Sequence, residues 1–305
     1  MGSVAAGGVG SRESGVGRTT IEGSHTAKLT AFVTAPLRWK TFSLGIAILL
    51  VYVVSAIFAP LVAPYDPAKP DYQALLQTPS LEHLFGTDDK GRDIFSRVIF
   101  GTRISFTIAI VAVGIAAVVG VPLGLFGGYF GGWPDAVIGR VVDALFAFPV
   151  LLMAIAIVTI TGIGLRGAII AIGLIAIPEF ARVSRAAMVA EKENDYVLAA
   201  RAVGASAPRI VLRQIVPNTL GPIVVLISLG FAFAILNETA LSFLGLGAQA
   251  PTPSWGADLA AARRYIRDAP WLSLFPGLAI FFLVLALNLT GDGFRDLLDP
   301  RRMRR

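Results

Sequence analysis

The sequence contains no cysteine, which excludes disulfides, thiolate catalysis and cysteine-ligated metal together. It has two histidines, His25 and His83, far apart in polar stretches. Neither a histidine metal cluster nor a catalytic triad can be built from them, and both read as solvated side chains. Charge is also scarce. Asp, Glu, Lys and Arg make up 15% of the 305 residues, against about 25% in soluble domains, which argues against an ordinary soluble enzyme.

What fills the chain instead is apolar: 55% of its residues are hydrophobic. A spanning helix needs about 20 mostly apolar residues, so there is material for several spans. The 32 Gly and 18 Pro fit the same class, since both are commoner in membrane helices than in soluble ones. We therefore expect an all-α, polytopic integral membrane protein. The formal net charge of +6 then reads as a bias of loop charge rather than as a nucleic-acid footprint.

Residues 1–42 are rich in Gly, Ser, Thr and Ala with scattered charge, and read as a flexible cytoplasmic tail. The first span is expected at residues 43–62, uncleaved; Pro60, Pro64, Pro67 and Pro70 forbid its continuation, and an extracytoplasmic segment is expected over 63–103. A five-helix core over 104–292 follows, with apolar runs at 104–126, 137–160, 167–180, 220–244 and 271–289, and a basic cytoplasmic end at 293–305. With the N-terminus inside, 17 Lys and Arg fall on the cytoplasmic side and 9 on the other, which predicts both termini in the cytoplasm.

Between spans four and five lies a polar loop, 182–218, longer than a six-helix bundle requires. Tyr196, Ala199, Ala200 and Val203 stand at i, i+3, i+4 and i+7, a short helical stripe. Asp195 can cap its start and Gly204 its end; Pro208 suits a second helical first turn, and Pro217 is expected to stop it. The stripe is built from Ala, so a partner's backbone could approach closely. Asp195, Arg201 and Arg209 carry both signs and form no basic lipid-binding row. A protein-docking surface is thus the sharper reading than a helix lying on lipid.

The run D-Y-V-L-A-A-R-A-V-G-A-S-A-P-R-I-V-L-R-Q-I-V-P-N from Asp195 to Asn218 resembles the EAA loop of ABC importer permeases, with Ala199, Ala200, Gly204 and Pro217 at that motif's spacing. Leu198 stands where the motif has Glu, and Gln214 where it has Ile. Three further stretches resemble the C-type subunit of the dipeptide, oligopeptide and nickel importer group: Phe85 to Asp93, Leu241 to Gly256, and Asn288 to Arg301. Together they cover about residues 40–301.

The resemblance implies a subunit that forms a translocation pathway with a second permease. One or two ABC ATPase subunits would lie beneath and an extracytoplasmic substrate-binding protein above, all in a bacterial or archaeal inner membrane. Peptides are the implied cargo, and nickel or another small solute the alternative. No Gly-x-x-x-x-Gly-Lys-Ser/Thr loop occurs in the chain, so ATP and Mg are expected on the partner ATPases. No cofactor, metal or catalytic residue is expected in this chain. The ATPase-coupling residues implied are Asp195, Tyr196, Ala199, Ala200, Arg201, Val203, Gly204, Ala205 and Pro217.

Outside the loop, Glu238 either lines the pathway or fixes its helix by hydrogen bonding, and Phe243 is a pathway candidate beside it. Gly86, Thr87, Asp88, Gly91, Arg92 and Asp93 lie in a stretch that reads as polar and exposed, either a docking site for a binding protein or a folded plug. Asp143 and Glu179 read as solvated or ion-paired near the cytoplasmic face. Gly114, Gly120, Gly124 and Gly128 allow close helix packing, and Trp133, Trp255 and Trp271 read as an interfacial belt. A self-sufficient ion-coupled transporter would instead need paired midplane charges and an inverted repeat, neither of which is apparent.

Overall fold

A computed structural model describes residues 40–298; most of the expected N-terminal tail, with His25, and the last residues of the basic end lie outside the described residues. The helices are α1 (Lys40–Ile57), the single turn α2 (Ala59–Val62), α3 (Ile94–Phe130), α4 (Gly132–Phe146), α5 (Val150–Thr161), α6 (Leu165–Lys192), α7 (Asp195–Ala202), α8 (Ala207–Phe243), α9 (Trp255–Ala262) and α10 (Trp271–Leu298). Among the described residues there is no strand, only an isolated bridge between Thr87 and Asp93. Five helices, α1, α3, α6, α8 and α10, are long and apolar enough to cross a membrane, and α4 with α5 makes a sixth if a bent pair is one span.

The chain runs up and down between two ends. One, the cap end, carries residues 63–93 and α9. The other, the loop end, carries α7.

Several expected boundaries move. Residues 40–42 belong to α1 rather than to a tail, and Phe42 is buried, its ring edge-on to Phe294 at 5.6 Å. Residues 94–103 are the first turns of α3, not an irregular segment. The expected span over 137–160 is broken, with α4 and α5 meeting at 94°. Pro149 is the cause: it lacks an N–H and drives Phe148 away from helical geometry.

Helix α6 continues past Phe180 to Lys192, because a helix does not stop where its apolar run stops. Its 28 residues span about 42 Å at 1.5 Å per residue, against about 30 Å of hydrocarbon. The stretch without helix before α7 shrinks to a few residues accordingly.

Pro217 does not stop a helix either; it sits in the first turn of the Val216–Phe243 part of α8. Lacking an N–H, it cannot bond the carbonyl four residues back. The backbone immediately before it, Val211–Ile215, is π-helical, and the Val216 N–H reaches Val211 O.

The seam of the bundle is α3 against α6. A Cβ at Gly120 would stand 2.6 Å from Phe180 Cβ, and one at Gly128 2.9 Å from Arg185 O. One at Gly124 would collide with Ala181 O. These three glycines recur every four residues and form one face, so the two backbones touch. Gly114 is outside that face, and among the described residues nothing lies within 4 Å of the place of its Cβ.

Ile108, Ala112 and Ala116 of α3 join Ala168, Ala171 and Ile172 of α6 and Ile235 of α8 in the core. Helix α1 lies on α10 as an added arm. Gly45 abuts Leu289 and Thr290, and the Tyr52 hydroxyl donates to Ala279 O at 2.8 Å. Large apolar side chains point outward along the spans, Val118 and Leu50 among them, as helices surrounded by hydrocarbon require.

Gly124→Val forces α3 off α6, and overpacking of this kind costs about 1–3 kcal/mol or more. The thermal unfolding midpoint of the detergent-purified chain falls accordingly, whereas Gly114→Val leaves it within a degree or two.

Candidate functional site

At the loop end, α7 is a short helix held from both sides. Asn194 precedes it with extended backbone and takes the N-cap position expected for Asp195, which is the first helical residue. Gly204 ends it in left-handed geometry at φ +79°. The Gly204 N–H donates to Arg201 O and the Ala205 N–H to Ala200 O, each at 3.0 Å. Such a paired closure requires a residue without a Cβ penalty at that position.

The inward face of α7 differs from the expected stripe. Val197 and Ala200 are buried against Met188, Ile210 and Ile215, with Leu125 and Tyr129 of α3 beside them. Of the stripe, Ala199 and Val203 face outward, and Val203 is 84% exposed. The chain returns beneath α7 after Gly204, and this return selects Val197 and Ala200, spaced i and i+3, as the covered side. Asp195, Leu198 and Arg201 are exposed with them.

Tyr196 acts as a strut. Its hydroxyl donates to Glu191 Oε2 at 2.7 Å, at the end of α6, and accepts from Asn218 Nδ2 of α8 at 3.2 Å. Partial burial, and then the bond to Glu191, push the phenol above its usual pKa, so it stays protonated as a donor at neutral pH. Pro217 stands next to Asn218 at the foot of this strut. At the same end Arg182 pairs with Asp143 at 3.2 Å and Arg185 with Asp135, on the exposed flank of α4 and α6, while Glu179 is exposed.

At the cap end, Gly86, Thr87, Asp88, Gly91, Arg92 and Asp93 are buried, which corrects their reading as an exposed stretch. Asp88 Oδ1 accepts the backbone N–H groups of Lys90 and Arg92, and its Oδ2 pairs with the Arg92 guanidinium at 2.6 Å. Asp93 caps α3 by accepting from Ser96 N at 2.8 Å and Ser96 Oγ at 2.7 Å. Its other oxygen lies 2.9 Å from His83 Nδ1. His83 is thereby buried, not solvated.

Thr87 Oγ1 donates to Ala74 O and accepts from Gln77 N, and Gly91 packs on the Asp71 backbone where no Cβ fits. These residues consume their polar groups on one another. Polarity in the sequence signalled an internal scaffold here, because a compact loop without secondary structure must satisfy its backbone with side chains.

Glu238, near the cap end of α8, is 1% exposed, and its Oε1 accepts from Ser242 Oγ at 2.7 Å and Ser254 Oγ at 3.0 Å. Of the two expected roles, the hydrogen-bonding one matches this geometry. Phe243, five residues on, is partly exposed at the helix end.

Trp255 is wholly buried rather than interfacial. Its Nε1 donates to Val98 O at 3.0 Å, and its ring covers Gly101, where a Cβ would stand 2.6 Å away. Trp133, by contrast, is 78% exposed. Sequence reading also missed Arg97 and Asp258, which meet at 2.5 Å with both side chains largely buried; Arg97 further donates to Pro67 O at 2.8 Å. The pair is 161 residues apart in sequence, so no local pattern announces it.

Long apolar helices with an exposed loop helix at one end and a polar cap at the other are the architecture of a multi-pass membrane protein. Residues 120–304 match the family described as binding-protein-dependent transport system inner membrane component, and the chain belongs to that family. Residues 37–79 also match the N-terminal transmembrane domain of oligopeptide transport permease C.

Among its relatives is the dipeptide transport system permease protein DppC of Alkalihalophilus pseudofirmus, 46% identical over 262 residues, 86% of each chain. Another is the glutathione transport system permease protein GsiD of Escherichia coli, 48% identical over 253 residues, 83% of this chain and 84% of that one. A chain of the methionine ABC transporter MetNI in an inward-facing conformation aligns with a TM-score of 0.56 and 18% identity, over 67% of this chain and 96% of that one. At that identity the likeness is one of fold.

Arg97→Met strands Asp258 without its cation, and breaking a buried pair costs about 3–5 kcal/mol. The unfolding midpoint of the purified chain drops sharply, and adding Asp258→Leu to Arg97→Met recovers most of the loss.

Proposed function

We propose that the chain is one of two permease subunits of an ATP-driven importer of di- or oligopeptides. It forms the pathway with a second permease, receives substrate from an extracytoplasmic binding protein, and is driven by one or two ABC ATPase subunits that carry ATP and Mg. The peptide cargo rests on the names of the relatives, dipeptide and glutathione transport permeases. In this reading the loop end and both termini lie in the cytoplasm, and the cap end faces the binding protein.

The observation that carries the reading is the form of α7. It is fixed to its own chain by Val197 and Ala200 and by the Tyr196 strut, yet it offers Leu198, Ala199 and Val203 to the outside beside Asp195 and Arg201. Exposed apolar side chains on a rigid, anchored helix suit a partner's groove. Movement of an ATPase under α7 would be delivered to α6 through Glu191 and to α8 through Asn218, Ile210 and Ile215. Gly204, Ala205 and Pro217 shape the loop, and Phe243 and Glu238 belong to the far end of the lever. Gly86 through Asp93 act as the frame of the cap in this scheme, a plug-like scaffold rather than a docking surface.

The absence of cysteine makes crosslinking direct. With the second permease and the ATPase co-expressed, Val203→Cys and Ala199→Cys crosslink to single cysteines along the ATPase groove with a yield that changes on adding ATP, while Ala200→Cys gives little product. Equal labelling of Ala200→Cys and Val203→Cys, or no crosslink from either exposed position in a membrane-inserted complex, rejects the coupling role.

A further inference from the structure

Helix α9 is held by two different kinds of tie. Toward α3 it is fixed by Trp255, bonded to Val98 O, and by Asp258, paired with Arg97. Toward α8 it is fixed through Glu238, whose Oε1 takes the hydroxyl of Ser254, the residue just before α9, and that of Ser242, one turn further along α8. Ser242 Oγ also accepts from Ala248 N at 3.2 Å, so the connection between the two helices is pinned at the same point. Gly256 lies directly on α8: a Cβ there would stand 2.8 Å from Ser242 Cβ and collide with Thr239 O. α9 therefore cannot slide over α8 while the Glu238 bonds hold.

The carboxylate is odd for a purely static fastener. Among the described residues, Oε2 of Glu238 has no hydrogen-bond partner although it is buried, and the same is true of Asp258 Oδ2 and Thr239 Oγ1. Idle buried acceptors destabilise a fold, and a glutamine there would tie Ser254 and Ser242 through its one oxygen while burying an NH2 donor in place of the idle acceptor. Spare acceptors on both sides of α9 do allow its hydrogen bonds to be handed over as the helix shifts, which is what an element with two arrangements requires.

From Ala207 to Glu238 along α8 the distance is about 46 Å at 1.5 Å per residue, with Ile210 and Ile215 seated under α7 at the near end. We propose that Glu238 is a positioning residue that makes α9 follow α8, so that displacement at the loop end is converted into movement of α9 against α3 and the rest of the cap. This rests on the coupling role of α7 proposed above.

The test uses the full complex in lipid nanodiscs with spin labels on introduced cysteines. One pair, Arg209→Cys with Arg140→Cys, reports on the loop end; the other, Arg264→Cys with Leu81→Cys, reports on α9 against the cap, all four sites being exposed. Trapping the ATPases with ATP and vanadate shifts both distances in the otherwise unaltered chain. With Glu238→Ala the loop-end shift persists, the cap-end shift falls to less than a third, and ATP hydrolysis continues while uptake of a radiolabelled dipeptide drops at least tenfold. Glu238→Gln, which keeps one acceptor, restores most of the cap-end shift. Should Glu238→Ala fail to assemble, Ser254→Ala removes a single hydroxyl and is read the same way.

A cap-end shift unchanged by Glu238→Ala or Ser254→Ala overturns the proposal, as does a parallel loss of both shifts and of hydrolysis, which marks a merely structural role. Absence of any loop-end shift in the unaltered chain overturns the coupling reading itself, and the proposal with it.

Discussion

The bundle hangs on one close approach, the contact of the α3 and α6 backbones along Gly120, Gly124 and Gly128. In an apolar surround there is no hydrophobic gain from pairing two helices, so close van der Waals contact must hold them, and a side chain on this face would remove it. Both helices are longer than a bilayer core is thick, so the pair makes a stiff mast with ends that project. At one projection α3 receives the cap, through Asp93 as its N-cap and Arg97 as its cation. At the other, Leu125 and Tyr129 of α3 and Met188 of α6 form the seat of α7.

The two ends are built on opposite principles. At the cap, polar groups face inward and satisfy one another: Asp88 pairs with Arg92, Arg97 pairs with Asp258, and Asp93 is hydrogen-bonded to His83. The loop end keeps its charges on the outside, where Arg185 meets Asp135 and Arg182 meets Asp143, and leaves apolar side chains of α7 uncovered. A closed polar knot resists deformation, whereas an uncovered apolar crest invites a partner. A braced frame at one pole, to which α9 is tied, and stickiness at the other suit a subunit that takes its force from below.

Much of this was legible in the sequence, and the failures have physical causes. Class, span number and the loop helix follow from apolar run length and from Gly204, whose φ of +79° only glycine adopts freely. Span ends do not follow, because run length measures the hydrocarbon layer and not the helix, as α6 demonstrates by running on to Lys192. Pro149 broke a span while Pro178 and Pro217 did not; a proline's effect depends on whether neighbours can absorb the freed carbonyl.

At the site level, the position of Ala200 on the loop helix was readable but not the direction it faces, which is decided by Ile210 and Ile215 arriving from further along the chain. His83, Trp255 and the Arg97–Asp258 pair were misread or missed for the same reason. The partners of Trp255 and Arg97 are more than 150 residues away, and His83 is covered by a loop that folds back on itself to bring Asp93 beside it; a residue's solvation is a property of what arrives next to it.

The π-helical segment Val211–Ile215 gives α8 an angular phase as well as a length. A π turn carries one residue more than an α turn, which rotates everything beyond it by about 100° relative to an unbroken helix. The face of α8 that meets α7 at Ile210 and the face that meets α9 at Glu238 are thus set against each other by five residues, much as two cams are keyed on one shaft. Length changes elsewhere in the loops leave that setting alone, but returning Val211–Ile215 to α pitch with its residue count unchanged would turn the whole Glu238 face away from Ser254 without altering any residue that touches it. Timing between the two ends is in this sense written into backbone pitch rather than into side chains.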